Sequence, residues 1–281
     1  SNTGRAYEYR ALLKRLVLSW RDRWNQGDFP FLVVQLANFK RLATEPAVSS
    51  WAELRESQAM ALDLPKTGLA VTIDIGEAND IHPRNKQDVG KRLGLSALHV
   101  EYGRDDIQWT GPVFESMQVE DGTVRVRFTN AEGLRTSDGG PVQGFALAGE
   151  DREWHWADAR IEGDTVMLSA EDVTEPVAVR YAWADNPPCN LENAAALPAR
   201  PFRTDEWPGS AGAPGRGLQE VYARPDPVDL PHAGRPIEID GDLSDWEDIP
   251  AIPLPHHDGR TGRVKLAWRE DASNADVAFA R

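Results

Sequence analysis

Apolar side chains recur along the first third of the chain at helical spacing. Tyr9, Leu12, Leu13, Leu16, Val17, Trp20 and Trp24 share one stripe, which predicts an amphipathic helix over residues 5–25. Gly27 and Pro30 stop it. Residues 31–36 form a short continuous apolar run of strand length, the pattern of a buried parallel strand. Ser50 then reads as the cap of a second helix over residues 51–64, with Glu53 close to the capping-box position. Residues 69–75 read as a second buried strand. Val89, Leu93, Leu95, Ala97, Leu98 and Val100 predict a third helix over residues 86–102. The alternation of helix and strand argues for an α/β unit with a parallel sheet. In such sheets functional groups collect beyond the carboxyl ends of the strands. That singles out Ala37-Asn38 and residues 76–83.

The period changes in the middle third. Residues 113–119, an Asp121-Gly122 turn and residues 124–128 predict a hairpin. Residues 145–148, 159–162, a Gly163-Asp164 turn, 166–168 and 177–183 continue the β pattern, as a β-sandwich-like domain or sheet beside the α/β unit. Turn-rich segments at 186–190 and 197–202 close it. Residues 205–233 are rich in Pro and Gly and read as a linker. A second β module opens near residue 234.

Charge narrows the partners. The 281 residues carry 31 Lys and Arg against 45 Asp and Glu, a net of −14. Phosphate backbones and anionic lipid surfaces are repelled overall, so nucleic acid is a poor partner, whereas a neutral glycan is not penalised. The longest apolar run, residues 29–37, is broken by Pro30 and Gln35 and falls far short of the ~20 residues a bilayer span needs. No membrane insertion is predicted. With one cysteine, Cys189, no intrachain disulfide is possible. The ten Trp residues suit either core packing or a sugar-stacking face.

Among chemistry-bearing patterns, Asp80-Ile81-His82-Pro83 stands out because it follows a strand and precedes a helix. A histidine there can act as a general base if a carboxylate fixes its tautomer, and Asp80 is two residues away. Asp74 and Glu77 lie near the same strand end, and Arg55 and Gln58 sit on the second helix, where they face either a site or solvent. His256-His257-Asp258 is a poor metal pattern, since adjacent histidines in a strand point to opposite faces. His99, His155 and His232 carry no motif. No phosphate loop, dinucleotide fingerprint or zinc cluster occurs, so no cofactor and no metal are predicted. No Ser or Cys sits in Gly-x-Ser-x-Gly, and Cys189 has no activating neighbour in sequence.

Several ordered motifs resemble one family. Ser1-Asn2-x-Gly4-Arg5-Ala6-Tyr7, Pro30-Phe31-x-Val33-Val34-Gln35-Leu36, Trp51 through Gln58, Asp74-Ile75-Gly76, Ile81-His82-Pro83-x-Asn85-Lys86, Asn186-Pro187 and the stretch from Leu197 to Thr204 are similar to the sialate O-acetylesterases of the SGNH (GDSL-like) hydrolases. The resemblance covers residues 1 to about 205. It implies an SGNH-type parallel-sheet hydrolase domain, and removal of O-acetyl groups from a sugar or glycan through an acyl-enzyme on serine. His82 matches the catalytic histidine of the Ile-His-Pro motif. The position three residues earlier, where the superfamily often places its orienting Asp, is Asn79, so Asp80 is the nearest candidate for that role. Ser1-Asn2 match the end of a Gly-Glu-Ser-Asn motif at the oxyanion site, which makes Asn2 a candidate donor; Arg55 and Gln58 are candidate substrate contacts. The nucleophilic serine belongs to an upstream Gly-Gln-Ser-type motif. The sequence therefore reads as an excerpt of a longer parent, inactive alone, with residues 1–109 the carboxyl-terminal part of the esterase domain and 110–204 its β-rich domain. Ile239-Asp-Gly-Asp-Leu-Ser-Asp-Trp246 resembles the opening of a family-9-type carbohydrate-binding module, truncated over 234–281. The tail raises acetylated xylan as an alternative substrate, and a non-catalytic glycan binder as an alternative function. Family and tail together imply a secreted or periplasmic parent.

Overall fold

The computed structural model describes residues 2–210 and the strand segments 252–255 and 261–264. The chain divides into two compact units, Ser1–Leu218 and Gln219–Arg281. The second contributes one antiparallel pair, Ile252–Pro255 with Thr261–Val264. The motif at residues 239–246, His232 and His256-His257-Asp258 lie outside the described residues.

The first unit is mixed α/β. Helix α1 (Ala6–Trp24) buries Leu13, Val17 and Arg21. It ends where Asn25 turns left-handed (φ 50°) and returns its N–H to Arg21 O. Strand β1 (Phe31–Val34) pairs in parallel with β2 (Thr67–Ala70), Val33 opposite Leu69. Helix α2 (Ser50–Ala59) is capped by Ser49 rather than Ser50: the Ser49 side chain accepts the Ala52 N–H at 3.0 Å. It ends five residues before the predicted boundary, in a 3-10 turn, Met60–Asp63. Helix α3 (Lys86–Val100) is capped by Asn85 and packs on β2. Gly68 permits that approach, since a Cβ there would lie 2.1 Å from Ser96 Oγ.

Both parallel strands end earlier than their apolar runs suggest. Beyond Val34 and Ala70, side chains replace the ladder. Thr72 Oγ1 donates to Gln35 O at 2.5 Å, and groups from α2 take the backbone of Leu36. The outer edge of β1 carries no further strand among the described residues. Beside that edge Trp20, Trp24 and Val34 are exposed. Trp24 stacks on Trp20 and on Phe29, and Trp20 meets Phe31 edge-on.

Two four-stranded antiparallel sheets follow. The first has the order β3-β4-β9-β8: Val113–Glu120, Thr123–Thr129, Thr165–Ser169 and Asp158–Glu162. Its hairpin turns through Asp121 and Gly122, both at positive φ (50° and 75°), as the dipeptide predicts. The second has the order β12-β10-β6-β7: Phe202–Arg203, Ala178–Tyr181, Phe145–Ala148 and Trp154–Trp156. A two-stranded pair joins β5 (Arg135–Thr136) to β11 (Leu191–Glu192). Val124, Val126, Phe128, Val166 and Leu168 of the first sheet share one core with Phe145, Leu147, Val179 and Tyr181 of the second. Phe128 meets Phe145 and Phe202 edge-on at 6.4 and 5.9 Å. On the other side of the second sheet Arg180 stacks on Trp154 and pairs with Asp205, and Arg203 pairs with Glu56 of α2. Residues 205–210 continue along this seam, and Ser210 donates N–H and Oγ to Glu53. No described helix is long and apolar enough to cross a membrane.

Candidate active site

Three segments meet beyond the carboxyl ends of β1 and β2: the loop after β1, the loop after β2, and the turn after β10. Arg55 of α2 ties the first to the third. Its Nε donates to Leu36 O (2.8 Å), its terminal nitrogens to Ala37 O (2.9 Å), Ala184 O (2.6 Å) and Asp185 O (2.8 Å). The residue is 0% exposed. Burial draws its pKa down to about 9, against the opposing influence of Asp185, so the guanidinium stays charged at neutral pH. Gln58, one turn on, accepts the Leu36 N–H (2.9 Å) and reaches Val34 O (3.4 Å). Phe31 and Gln35 direct their N–H groups to β2; Val34 and Leu36 therefore face outward, and α2 side chains occupy the place of a neighbouring strand there. The structure thus puts Arg55 and Gln58 on backbone, not on an open surface.

Asp185 and Asn186 clamp the loop after β1. The Asp185 carboxylate accepts Ser49 Oγ (2.5 Å) and Lys40 Nζ (2.6 Å). Burial pushes its pKa up, but these two bonds outweigh that and leave it below the usual carboxylate value. Asn186 donates to Lys40 O (2.7 Å) and accepts Asn38 Nδ2 (2.9 Å). Asn38 Oδ1 in turn accepts the Gly76 N–H at 2.6 Å. A Cβ on Gly76 would stand 1.9 Å from Asn38 O, so only glycine fits against this peg. The sequence flagged the turn at 186–190 but gave no sign that it would reach a loop almost 150 positions earlier.

His82 lies on the loop after β2, its side chain 86% exposed. Its Nδ1 is 3.6 Å from Asp80 Oδ1, beyond hydrogen-bond range. The same oxygen accepts the His82 backbone N–H at 2.8 Å. Asp80 thus fixes the peptide of His82 and leaves the ring unfixed. Among the described residues the imidazole meets no hydroxyl or thiol. Asp74 is engaged by Arg92 at 2.6 Å to each oxygen. Asn2 precedes α1, exposed, with its carbonyl accepting the Arg5 N–H and its side chain capping nothing. No hydrogen bond joins Asn2 to His82. Burial pushes the Cys189 thiol up to about 12, so a thiolate nucleophile is scarce at neutral pH. His99 stacks on Trp109 and contacts Asp105 at 2.8 Å. No group of three or more metal-ligating side chains is gathered among the described residues.

No family model matches the chain. Similarity to individual proteins is clear. The sialate O-acetylesterase of Mus musculus is 26% identical over 223 residues, 69% of this chain and 40% of that protein. That of Homo sapiens is 26% identical over 230 residues, 72% of this chain and 44% of that protein. Among solved structures, a carbohydrate acetylesterase from Xanthomonas citri matches with a TM-score of 0.67 and 47% identity, covering 72% of this chain and 47% of that one. The mixed α/β architecture agrees with that fold, and the homologues are esterases. The chain spans less than half the length of these relatives.

Proposed function

We propose that this chain carries the general base, and part of the framework, of an SGNH-type carbohydrate O-acetylesterase. The observation that carries the reading is the accessible imidazole of His82, presented beyond a parallel strand pair in a chain 47% identical to a carbohydrate acetylesterase. In this reading a serine hydroxyl attacks the acetyl carbonyl of an O-acetylated sugar while His82 takes its proton. The alkoxide of the sugar leaves with a proton returned by the imidazolium, and water then hydrolyses the acetyl-enzyme with His82 again as base. Asp80 is the nearest carboxylate to orient and stabilise the ring. Asn2 supplies an oxyanion donor, as the family resemblance implies. Arg55 and Gln58 serve the substrate site by holding the strand end and the 184–185 turn beneath it.

The serine comes, in this proposal, from the portion of the esterase that the chain does not match. Two observations support that. His82 touches no hydroxyl among the described residues, and the outer edge of β1 at Leu32, ahead of the stretch that α2 side chains fill, has no partner strand among the described residues. In this reading a strand from that other portion extends the same parallel sheet along this edge.

The test joins the full chain to the part of the Xanthomonas citri enzyme that it does not match. The joined protein is expected to release acetate from an O-acetylated sialoside or from acetylated xylan, and the faster substrate names the sugar class. His82→Ala should lower kcat by roughly 10²–10⁴-fold, the usual contribution of a positioned base. Undiminished hydrolysis by His82→Ala, or a flat response on both substrates, would overturn the reading.

A further inference from the structure

The loop that carries His82 has almost no apolar anchorage. Asp74, Ala78, Asn79, Asp80, Ile81 and His82 are all exposed. An exposed segment of this kind samples many backbone arrangements unless polar contacts fix it. Here such contacts occur at both ends. At the start, Asn38 Oδ1 receives the Gly76 N–H at 2.6 Å, with Gly76 lacking the Cβ that would block the approach. The next residues zip to the loop after β1: Phe39 and Glu77 form a parallel bridge, and Lys40 N–H donates to Ala78 O at 3.0 Å. At the far end, the Glu77 carboxylate turns forward across six residues onto Arg84. It accepts the Arg84 backbone N–H at 3.0 Å, Nε at 2.9 and 3.1 Å, and a terminal nitrogen at 2.7 Å. His82 stands within the ring so closed, its own N–H held by Asp80 at 2.8 Å. Immediately beyond, Asn85 caps α3 through the Asp88 N–H at 3.1 Å.

We infer that Asn38 and Glu77 are positioning residues for His82: Asn38 pegs the start of its loop at Gly76, and Glu77 closes the loop onto Arg84. The inference rests on the esterase reading for its catalytic consequence. It does not rest on it for the geometry. Neither side chain reaches the imidazole, so both act through the backbone. The ring of a general base must lie within hydrogen-bond reach of the proton it takes, and a displacement of about 1 Å can cost about 10²-fold. The Glu77 contact to Arg84 holds its carboxyl below the ordinary value, so the clasp survives well into mild acid.

Two measurements test this. In the full chain, solvent exchange of single amides is followed by NMR. Glu77→Ala is expected to speed exchange at Arg84, and Asn38→Ala at Gly76, each by about tenfold or more, with Val33 of β1 unchanged. In the joined protein, Glu77→Ala is expected to lower kcat by between about 10- and 100-fold while KM stays within about twofold. Glu77→Gln, which keeps an oxygen for the Arg84 N–H, should recover most of that loss. A purely structural role would shift the melting temperature without this kcat selectivity or this rescue. Unchanged exchange at Gly76 and Arg84 would overturn the inference, as would an unchanged kcat in an active joined protein. A joined protein inactive even with Asn38 and Glu77 in place would instead sink the esterase reading, and the two amides would still decide whether the loop is held as described.

Discussion

Arg55 and His82 stand at the same end of the same parallel strand pair, yet they are built in opposite ways. Arg55 is wholly enclosed, and its guanidinium spends four hydrogen bonds on the carbonyls of Leu36, Ala37, Ala184 and Asp185. His82 is almost wholly exposed, and its ring has no hydrogen bond at all within range. The first arrangement suits a residue whose position must never vary. The second suits one whose partners arrive with substrate or with another polypeptide segment. A charged side chain near a candidate site is therefore no guide to chemistry until its donors have been accounted for: those of Arg55 are already consumed, and the His82 ring has no hydrogen bond within range.

The largest expected effect comes from emptying the enclosed side of this comparison. Arg55→Met keeps much of the volume but removes four hydrogen bonds: Leu36 O and Ala184 O lose their donor in a buried place, while Ala37 O keeps Trp51 Nε1 and Asp185 O keeps the Phe39 N–H. Unsatisfied buried polar groups cost about 1–3 kcal/mol each. A loss of about 3–5 kcal/mol is expected in urea unfolding of the chain. A loss under about 1 kcal/mol would mean that water reaches these carbonyls and that the enclosure is not what holds the turn after β10.

Asp185 offers a smaller and pH-dependent version of the same test. Its carboxyl is held below the ordinary range in the folded state by Lys40 and Ser49, against burial. The sign follows from linkage. A depressed folded pKa stabilises the fold above the unfolded carboxylate value, near 3.9, and that contribution disappears as pH falls through the folded value. Asp185→Ala should therefore cost about 1–2 kcal/mol at pH 7 and progressively less below pH ~4. Thermal melts of the two proteins across that interval check it, and parallel curves at every pH would break the assignment.

How far these roles were legible in sequence differs in the same way. The period of α1 and the Asp121-Gly122 hairpin could be read because their causes are local: a repeating apolar stripe and a dipeptide that favours positive φ. The core strands were likewise visible, 124–128 by strict alternation and 145–148 and 166–168 as short apolar runs. Strand β7 was not, since Trp-His-Trp is too short a run to separate from a loop. Nor were β5, β11 and β12, two residues each, whose pairing is set by partners far along the chain. The strand ends were overestimated because apolarity continues past the point where Thr72, Gln58 and Arg55 replace the ladder. Arg55 and Gln58 looked like site residues from their motif. What decided their surroundings was the end of β1 for both and, for Arg55, a turn about 130 positions later. His82 was visible through its short motif and the resemblance, but nothing local to the sequence indicated that Glu77 would reach forward to Arg84 around it.

The smallest expected effect is on His82 itself, and it sharpens the contrast most. Removing a ring that is 86% exposed and has no hydrogen bond should change stability by no more than about 0.5 kcal/mol. The loop should be equally indifferent, because its fixed points are the Asn38 peg, the Glu77 clasp and the Asp80 bond to the peptide N–H, all of which His82→Ala retains. Urea unfolding of His82→Ala beside the unsubstituted chain measures the first. The amide exchange of Gly76 and Arg84 measures the second. A destabilisation above about 1 kcal/mol would show that the ring already has a structural partner, and the argument that its nitrogens stand open for a serine hydroxyl would fail with it. A negligible change in stability, set beside a large loss of hydrolysis in the joined protein, is the combination a general base produces and a framework residue such as Arg55 cannot.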